Sequence, residues 1–205
     1  MENHARGCLW ILLLSVWLGP VAPAQAEPAD LFASLTLRVQ NQIRSDKQGF
    51  AEAQTCTEWF YKERLRKPAK PKAEGVAYRQ ARSATGAPDC GARYPGGLEA
   101  AREDFSRAQS SLTISLTFYE FVLVGDRNDD GRYSAAELQD VLESIGLSFS
   151  SVVPQGHYLV ALDAKFDAIR KAGNLEGLMA GLGVLYDRGY RLSPNDLAAL
   201  TKVSG

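Results

Sequence analysis

The segment Asp126–Glu137 reads D-R-N-D-D-G-R-Y-S-A-A-E. Asp126, Asn128 and Asp130 occupy alternate positions, Gly131 follows directly, and Ser134 and Glu137 complete the oxygen-rich set. Such crowding of carboxylate, amide and hydroxyl oxygens suits a hard cation. Calcium takes about 6–8 oxygen ligands at roughly 2.3–2.6 Å, so a short segment must aim many oxygens at one point. The chain has to turn sharply to do this, and Gly131 allows a backbone geometry that a Cβ would disfavour.

Two helices must hold such a loop. On its C-terminal side Leu138, Val141, Leu142 and Ile145 recur at i, i+3, i+4 and i+7, the spacing of a one-sided helix. On its N-terminal side Phe118, Phe121 and Val122 supply an apolar face. With these flanks, the segment resembles the twelve-residue calcium loop of the EF-hand family, matching every position of D-x-[DN]-x-[DN]-G-x5-E. Dockerin modules have a similar loop but usually end it with Asp and lack the first helix. The resemblance implies side-chain ligation by Asp126, Asn128 and Asp130, and a backbone carbonyl ligand from Arg132. It further implies Ser134 bound directly or through a water, and Glu137 bound through both oxygens. Two positions depart from the family. Tyr133 stands where a branched aliphatic residue usually pairs by a short β-bridge with a partner loop. Gly125 stands where a bulky apolar residue is usual, and is expected to loosen the loop's grip on the first helix.

The remaining pattern is helical. Leu112, Ile114, Leu116 and Phe118 alternate with Thr and Ser as in a strand, but Leu112, Leu116, Tyr119 and Leu123 also share a helical stripe. The loop requires a helix there, so Leu98–Val124 is read as one. Ser134–Ser144 is the exiting helix, and Gly146–Pro154 a connector. Three further helices are expected. Gly156–Ala172 carries Leu159, Leu162, Phe166 and Ile169, and Asn174–Tyr186 carries Leu175, Leu178, Met179, Leu182 and Leu185. Ser193–Val203 opens with a capping serine and a proline at the first helical position. Residues 29–64 carry Leu31, Leu35, Val39 and Ile43 on one face, with Gly49 expected to divide them into two helices. Arg191–Leu197 echoes Arg132–Leu138. In that register Asp187 takes loop position three, while Leu185, Gly189 and Tyr190 replace the residues at positions one, five and six. Leu185–Asp196 is therefore expected to be a degenerate partner loop that keeps the shape without the metal. The fold expected is all-α: an EF-hand-like domain over 27–205, with its hand at 98–145, a degenerate hand at 174–203 and additional N-terminal helices.

Composition is that of an ordinary globular domain, with 205 residues, 45% hydrophobic, 23% charged and a net charge of −1. Residues 1–26 read as a secretory signal peptide: Arg6, an apolar run from Cys8 to Leu18, and Ala24-Gln25-Ala26 as the cleavage site. The run is too short to span a bilayer, and no later segment is long and apolar enough to do so. Cleavage after Ala26 leaves Cys56 and Cys90, which an oxidising compartment, periplasmic or extracellular, would join. Residues 66–97 are rich in Pro and Gly and read as a long loop. From Tyr61 to Arg93, nine basic residues face three acids. That segment suits either a solvated excursion or an adaptor for anionic envelope polymers; nucleic acid is not the partner expected of an exported chain. His157 is the only histidine beyond the signal peptide, and no spacing marks a nucleophile with its base or a carboxylate dyad. The function expected is calcium binding by one loop, structural or regulatory, without a catalytic role.

Overall fold

The computed structural model describes residues 28–65, 89–149 and 155–204. Residues 1–26, where a leader is expected, most of the 61–93 basic segment and part of the 146–154 connector lie outside them. Seven helices make up the described residues: α1 Pro28–Leu65, α2 Cys90–Arg93, α3 Gly97–Val124, α4 Ala135–Ser144, α5 Gln155–Ala172, α6 Leu175–Asp187 and α7 Pro194–Ser204. There is no strand among them. The fold is all-α, and the alternation at 112–118 resolves as helix, with Ile114 and Phe118 buried and Leu112 and Leu116 packed against the core.

α1 is a single helix of 38 residues. Gly49 does not break it. A lone glycine costs a helix only about 1 kcal/mol relative to alanine, and the flanks offset this. Gln42 donates to Asp46, Gln48 donates to Glu52, and the Phe50 ring lies 5.1 Å from Phe105 of α3. α3 runs antiparallel to α1, so Gln40 meets Tyr119 and Asp46 meets Ser115. α5 runs parallel to α1, bridged by Arg38–Asp163 and Asp46–Arg170. The core gathers one face from each of these helices, including Leu35, Ile43, Phe118, Phe121 and Leu162, with Leu138, Leu142, Leu178, Leu182 and Leu185 from the C-terminal half.

The far end of the α1–α3 pair is closed covalently. Cys56 and Cys90 form a disulfide with Cα atoms 5.3 Å apart, as the cysteine count anticipates. Cys90 opens α2, a short helix inside the span read as a loop, capped by Asp89 accepting from the Ala92 N–H. Tyr94, Ala101, Trp59 and Phe60 pack around the disulfide. No helix among the described residues is long and apolar enough to cross a membrane.

Candidate metal centre

α3 and α4 are joined by residues 125–134, and the segment begins where α3 has run out of partners for its last carbonyls. The Gly125 N–H still reaches Phe121, and the Asp126 N–H bonds the Leu123 carbonyl at 3.1 Å. The Val122 carbonyl instead accepts from the Tyr133 hydroxyl at 2.6 Å. Tyr133 is thus the side chain that caps the helix end, satisfying a buried acceptor that would otherwise be costly. It is 2% exposed, and Phe32 of α1 meets its ring edge-on at 5.2 Å. The β-bridge expected of this position does not form; the tyrosine turns inward, because its hydroxyl has an acceptor there and its ring an apolar socket.

Gly125 is explained by the same packing. A Cβ on it would lie 2.4 Å from Val141 Cγ2 and 3.0 Å from Tyr133 Cε1. The missing side chain therefore lets α4 and Tyr133 close on the end of α3. This corrects the expectation that Gly125 loosens the loop.

Inside the loop, carboxylate and amide oxygens fold back on backbone N–H groups. Asp126 accepts from Asp130 at 3.2 Å and Gly131 at 2.8 Å. Asn128 Oδ1 accepts from the Asp130 N–H at 3.1 Å, and Asp130 Oδ1 from the Arg132 N–H at 2.9 Å. Two residues adopt left-handed backbone conformations that make this winding possible, Asp129 at φ +58° and Gly131 at φ +75°. Aspartate tolerates that region better than most residues, and glycine has no Cβ to oppose it. Ser134 is the N-cap of α4. Its hydroxyl accepts from the Glu137 N–H at 3.3 Å, while Glu137 Oε2 accepts from the Ser134 N–H at 2.8 Å, a reciprocal capping box. Glu137 Oε1 also accepts from the Arg127 N–H at 2.9 Å. One carboxylate therefore ties the two ends of the loop together.

The six residues expected to ligate thus lie in one short loop, and two of its carboxylates are buried: Asp126 is 5% exposed and Glu137 6%. Burial pushes the Asp126 carboxyl above its ordinary value. The N–H groups of Gly131 and Asp130 pull it back, and the neighbouring Asp130 and Glu137 charges add to the rise. Tyr133 is pushed well up by complete burial, with the Asp126 and Glu137 charges adding to it. As the side chains stand, no three Asp, Glu, His or Cys groups among the described residues converge closely enough to hold a metal ion. The donor set nonetheless suits a hard cation. An ionised carboxylate has about four lone-pair sites, so one or two N–H bonds leave Asp126, Asp130 and Glu137 with capacity to spare.

The second helix pair lies alongside. Residues 188–193 connect α6 to α7, six against the ten of 125–134. The echo survives at the cap: Ser193 accepts from the Asp196 N–H at 3.1 Å and donates to its carboxylate at 2.7 Å. The loop shape does not. α6 continues through Asp187, Leu185 is fully buried, and the left-handed residue is Gly189. An apolar residue at position one has more to gain in the core than in a turn, so the helix overruns the register. The two connections still touch. The Arg127 guanidinium lies 5.5 Å from the Tyr190 ring, whose hydroxyl donates to Asp140 of α4 at 2.6 Å, and Arg188 pairs with Asp140 and Glu143. Motif matching finds the loop residues, but these tyrosine and arginine contacts carry no sequence signal, because nothing local marks which neighbour they meet. Compared with models of known families, with curated proteins and with solved structures, the chain matches none.

Proposed function

We propose that this chain is an exported calcium-binding protein with a single EF-hand-like loop, Asp126–Glu137, in which calcium has a structural or regulatory role and no catalytic one. The observation that carries the reading is the burial of Asp126 and Glu137, first and last residues of the loop; burial raises the Asp126 carboxyl, and the Asp130 and Glu137 charges add to the rise. Gathering anionic groups away from water is unfavourable unless a positive charge compensates. Asp126, Asn128, Asp130 and Glu137 would hold the ion by side-chain oxygens, Arg132 by its carbonyl and Ser134 directly or through water. A bound calcium would supply the compensating charge. Tyr133 and Gly125 keep the loop seated on the ends of α3 and α4. Export is supported by the leader-like 1–26 sequence together with the Cys56–Cys90 disulfide.

Calcium titration calorimetry on the chain from Glu27 onward tests the proposal. One site is expected, because 185–196 places Leu185 in the core where a first ligand would stand. Binding to the native state adds RT ln(1 + [Ca]/Kd), which at 1 mM calcium is about 0.4–1.4 kcal/mol for Kd of 10⁻³–10⁻⁴ M and about 2.7 kcal/mol for 10⁻⁵ M. Equal magnesium should stabilise less, since it demands a tighter octahedral shell. A melting temperature indifferent to calcium would refute the proposal.

A further inference from the structure

A cleft of about 400 Å³ opens between α1, α3 and α5. It shares no residue with the 126–137 loop, and its size is that of a small-ligand site. Its apolar wall is Val39, Phe118 and Phe166, all buried. Because α5 runs parallel to α1, two ion pairs cross the cleft with opposite polarity. Arg38 of α1 meets Asp163 of α5 at one end; Asp46 of α1 meets Arg170 of α5, at 2.9 Å, at the other. Positions 38 and 46 are eight residues apart, or about 12 Å along the helix.

The inner pair is only partly satisfied. Asp46 accepts from Gln42, Ser115 and Arg170. Arg170 is not: Nη2 carries its bonds to Asp46 and Ser111, while Nε is sealed from solvent without a partner. A guanidinium has five N–H donors, and a buried donor without an acceptor is costly. One helical turn away, Asp167 lines the same cleft and forms no hydrogen bond or ion pair among the described residues. Asp167 and Arg170 stand at i and i+3, so their side chains are neighbours about 5–6 Å apart at Cβ. The cleft thus presents an acceptor, Asp167, beside the Arg170 Nη1 donor, which is not sealed and has no hydrogen bond among the described residues, next to an aromatic wall.

We propose that this cleft binds a small amphipathic zwitterion, of which an apolar α-amino acid is the simplest. Its carboxylate pairs with Arg170, its ammonium with Asp167, and its side chain lies on Phe118, Phe166 and Val39. A plain carboxylate would leave Asp167 facing the ligand's own negative charge, and a plain amine would leave the Arg170 donors unspent.

The test is calorimetry or ligand-observed NMR on the exported chain with L-phenylalanine, 3-phenylpropionate and phenethylamine. Phenylalanine should bind saturably, with Kd of about 1 mM or tighter, and each analogue lacking one charge should bind at least roughly tenfold more weakly. Replacing Arg170 would strand the buried Asp46 charge and could unfold the chain, so the protein side is tested at exposed Asp167. Asp167→Asn should weaken phenylalanine about tenfold while leaving the melting temperature unchanged. Absence of saturable phenylalanine binding, equal affinity for phenylalanine and 3-phenylpropionate, or an unaltered affinity in Asp167→Asn would each overturn the proposal.

Discussion

Gly125→Ala separates two physical effects of opposite sign. Gly125 has φ −64° and ψ −20°, a right-handed conformation that alanine adopts without strain. On backbone grounds alone, the substitution should stabilise by about 0.4–1 kcal/mol through the unfolded chain. The packing says otherwise. The new Cβ would stand 2.4 Å from Val141 Cγ2, about 1 Å inside ordinary contact, and Val141 is 1% exposed on a helix held by Leu138 and Leu142 in the core. Overpacking of this kind costs about 1–3 kcal/mol. The steric effect wins, with a net loss of about 1–2 kcal/mol, or roughly 2–8 °C of melting temperature in a chain of this size. The assay is a double-mutant cycle by chemical or thermal denaturation. Val141→Ala alone leaves a cavity and destabilises; in the Gly125→Ala background it removes the clash, so the two losses should fall short of additive by at least about 1 kcal/mol. Additive losses, or a Gly125→Ala variant more stable than the parent, would refute the packing of α4 on the end of α3.

Glu137→Gln should weaken calcium by at least roughly tenfold, since ligand charge sets affinity in such loops, while its remaining amide oxygen preserves part of the cap in the absence of metal. Asp129→Asn is the control, because Asp129 ligates nothing in the proposed site and asparagine tolerates its left-handed backbone; equal weakening by both, measured by calorimetry, would point to diffuse attraction of the ion. Reduction of Cys56–Cys90, 34 positions apart, should lower stability by about 3–4 kcal/mol on the chain-entropy model, read as a fall in melting temperature under reductant that a Cys56→Ser/Cys90→Ser variant does not show. Glu52 gives a pH signature. The Gln48 amide first, and Arg93 second, hold its carboxyl below the ordinary value of 4.5. Its contribution is thus present above about pH 4.5 and lost as pH falls through the lower folded value, so Glu52→Gln should flatten that part of the acid-side decline in melting temperature.

The helices were readable because their apolar periodicity is local. α3, α5, α6 and α7 begin and end within a residue of the spans expected from sequence, and Ser134 and Asn174, placed inside the expected helices, prove to be the caps that start them. What sequence could not supply is pairing across the chain. Gly49 looked like a breaker because its support comes from contacts elsewhere on α1 and from α3. Tyr133 looked like a bridge residue because its carbonyl partner lies eleven positions back, at the end of another helix. Asp46 and Arg170, 124 residues apart, carry no mutual mark at all. The oxygen-rich residues of the candidate metal centre were all legible. Their hydrogen bonds to the loop's own N–H groups were not, since residue spacing records which oxygens share a short segment and not which N–H groups each one meets.

The Cys56–Cys90 disulfide also changes the topology that folding has to solve. Along the backbone, Asp46 and Ser115 are 69 residues apart, so bringing α1 against α3 is a long-range closure. Through the crosslink, ten residues separate Asp46 from Cys56 and twenty-five separate Cys90 from Ser115. The covalent path is about half as long. Shorter closures lose less chain entropy, and chains dominated by near contacts fold faster. An oxidised chain therefore meets its longest helix pair as a hairpin with a preformed bend. The order of events then matters: a disulfide made early speeds the assembly of the α1–α3 scaffold on which the 126–137 loop is seated, and one made late only locks what has already formed.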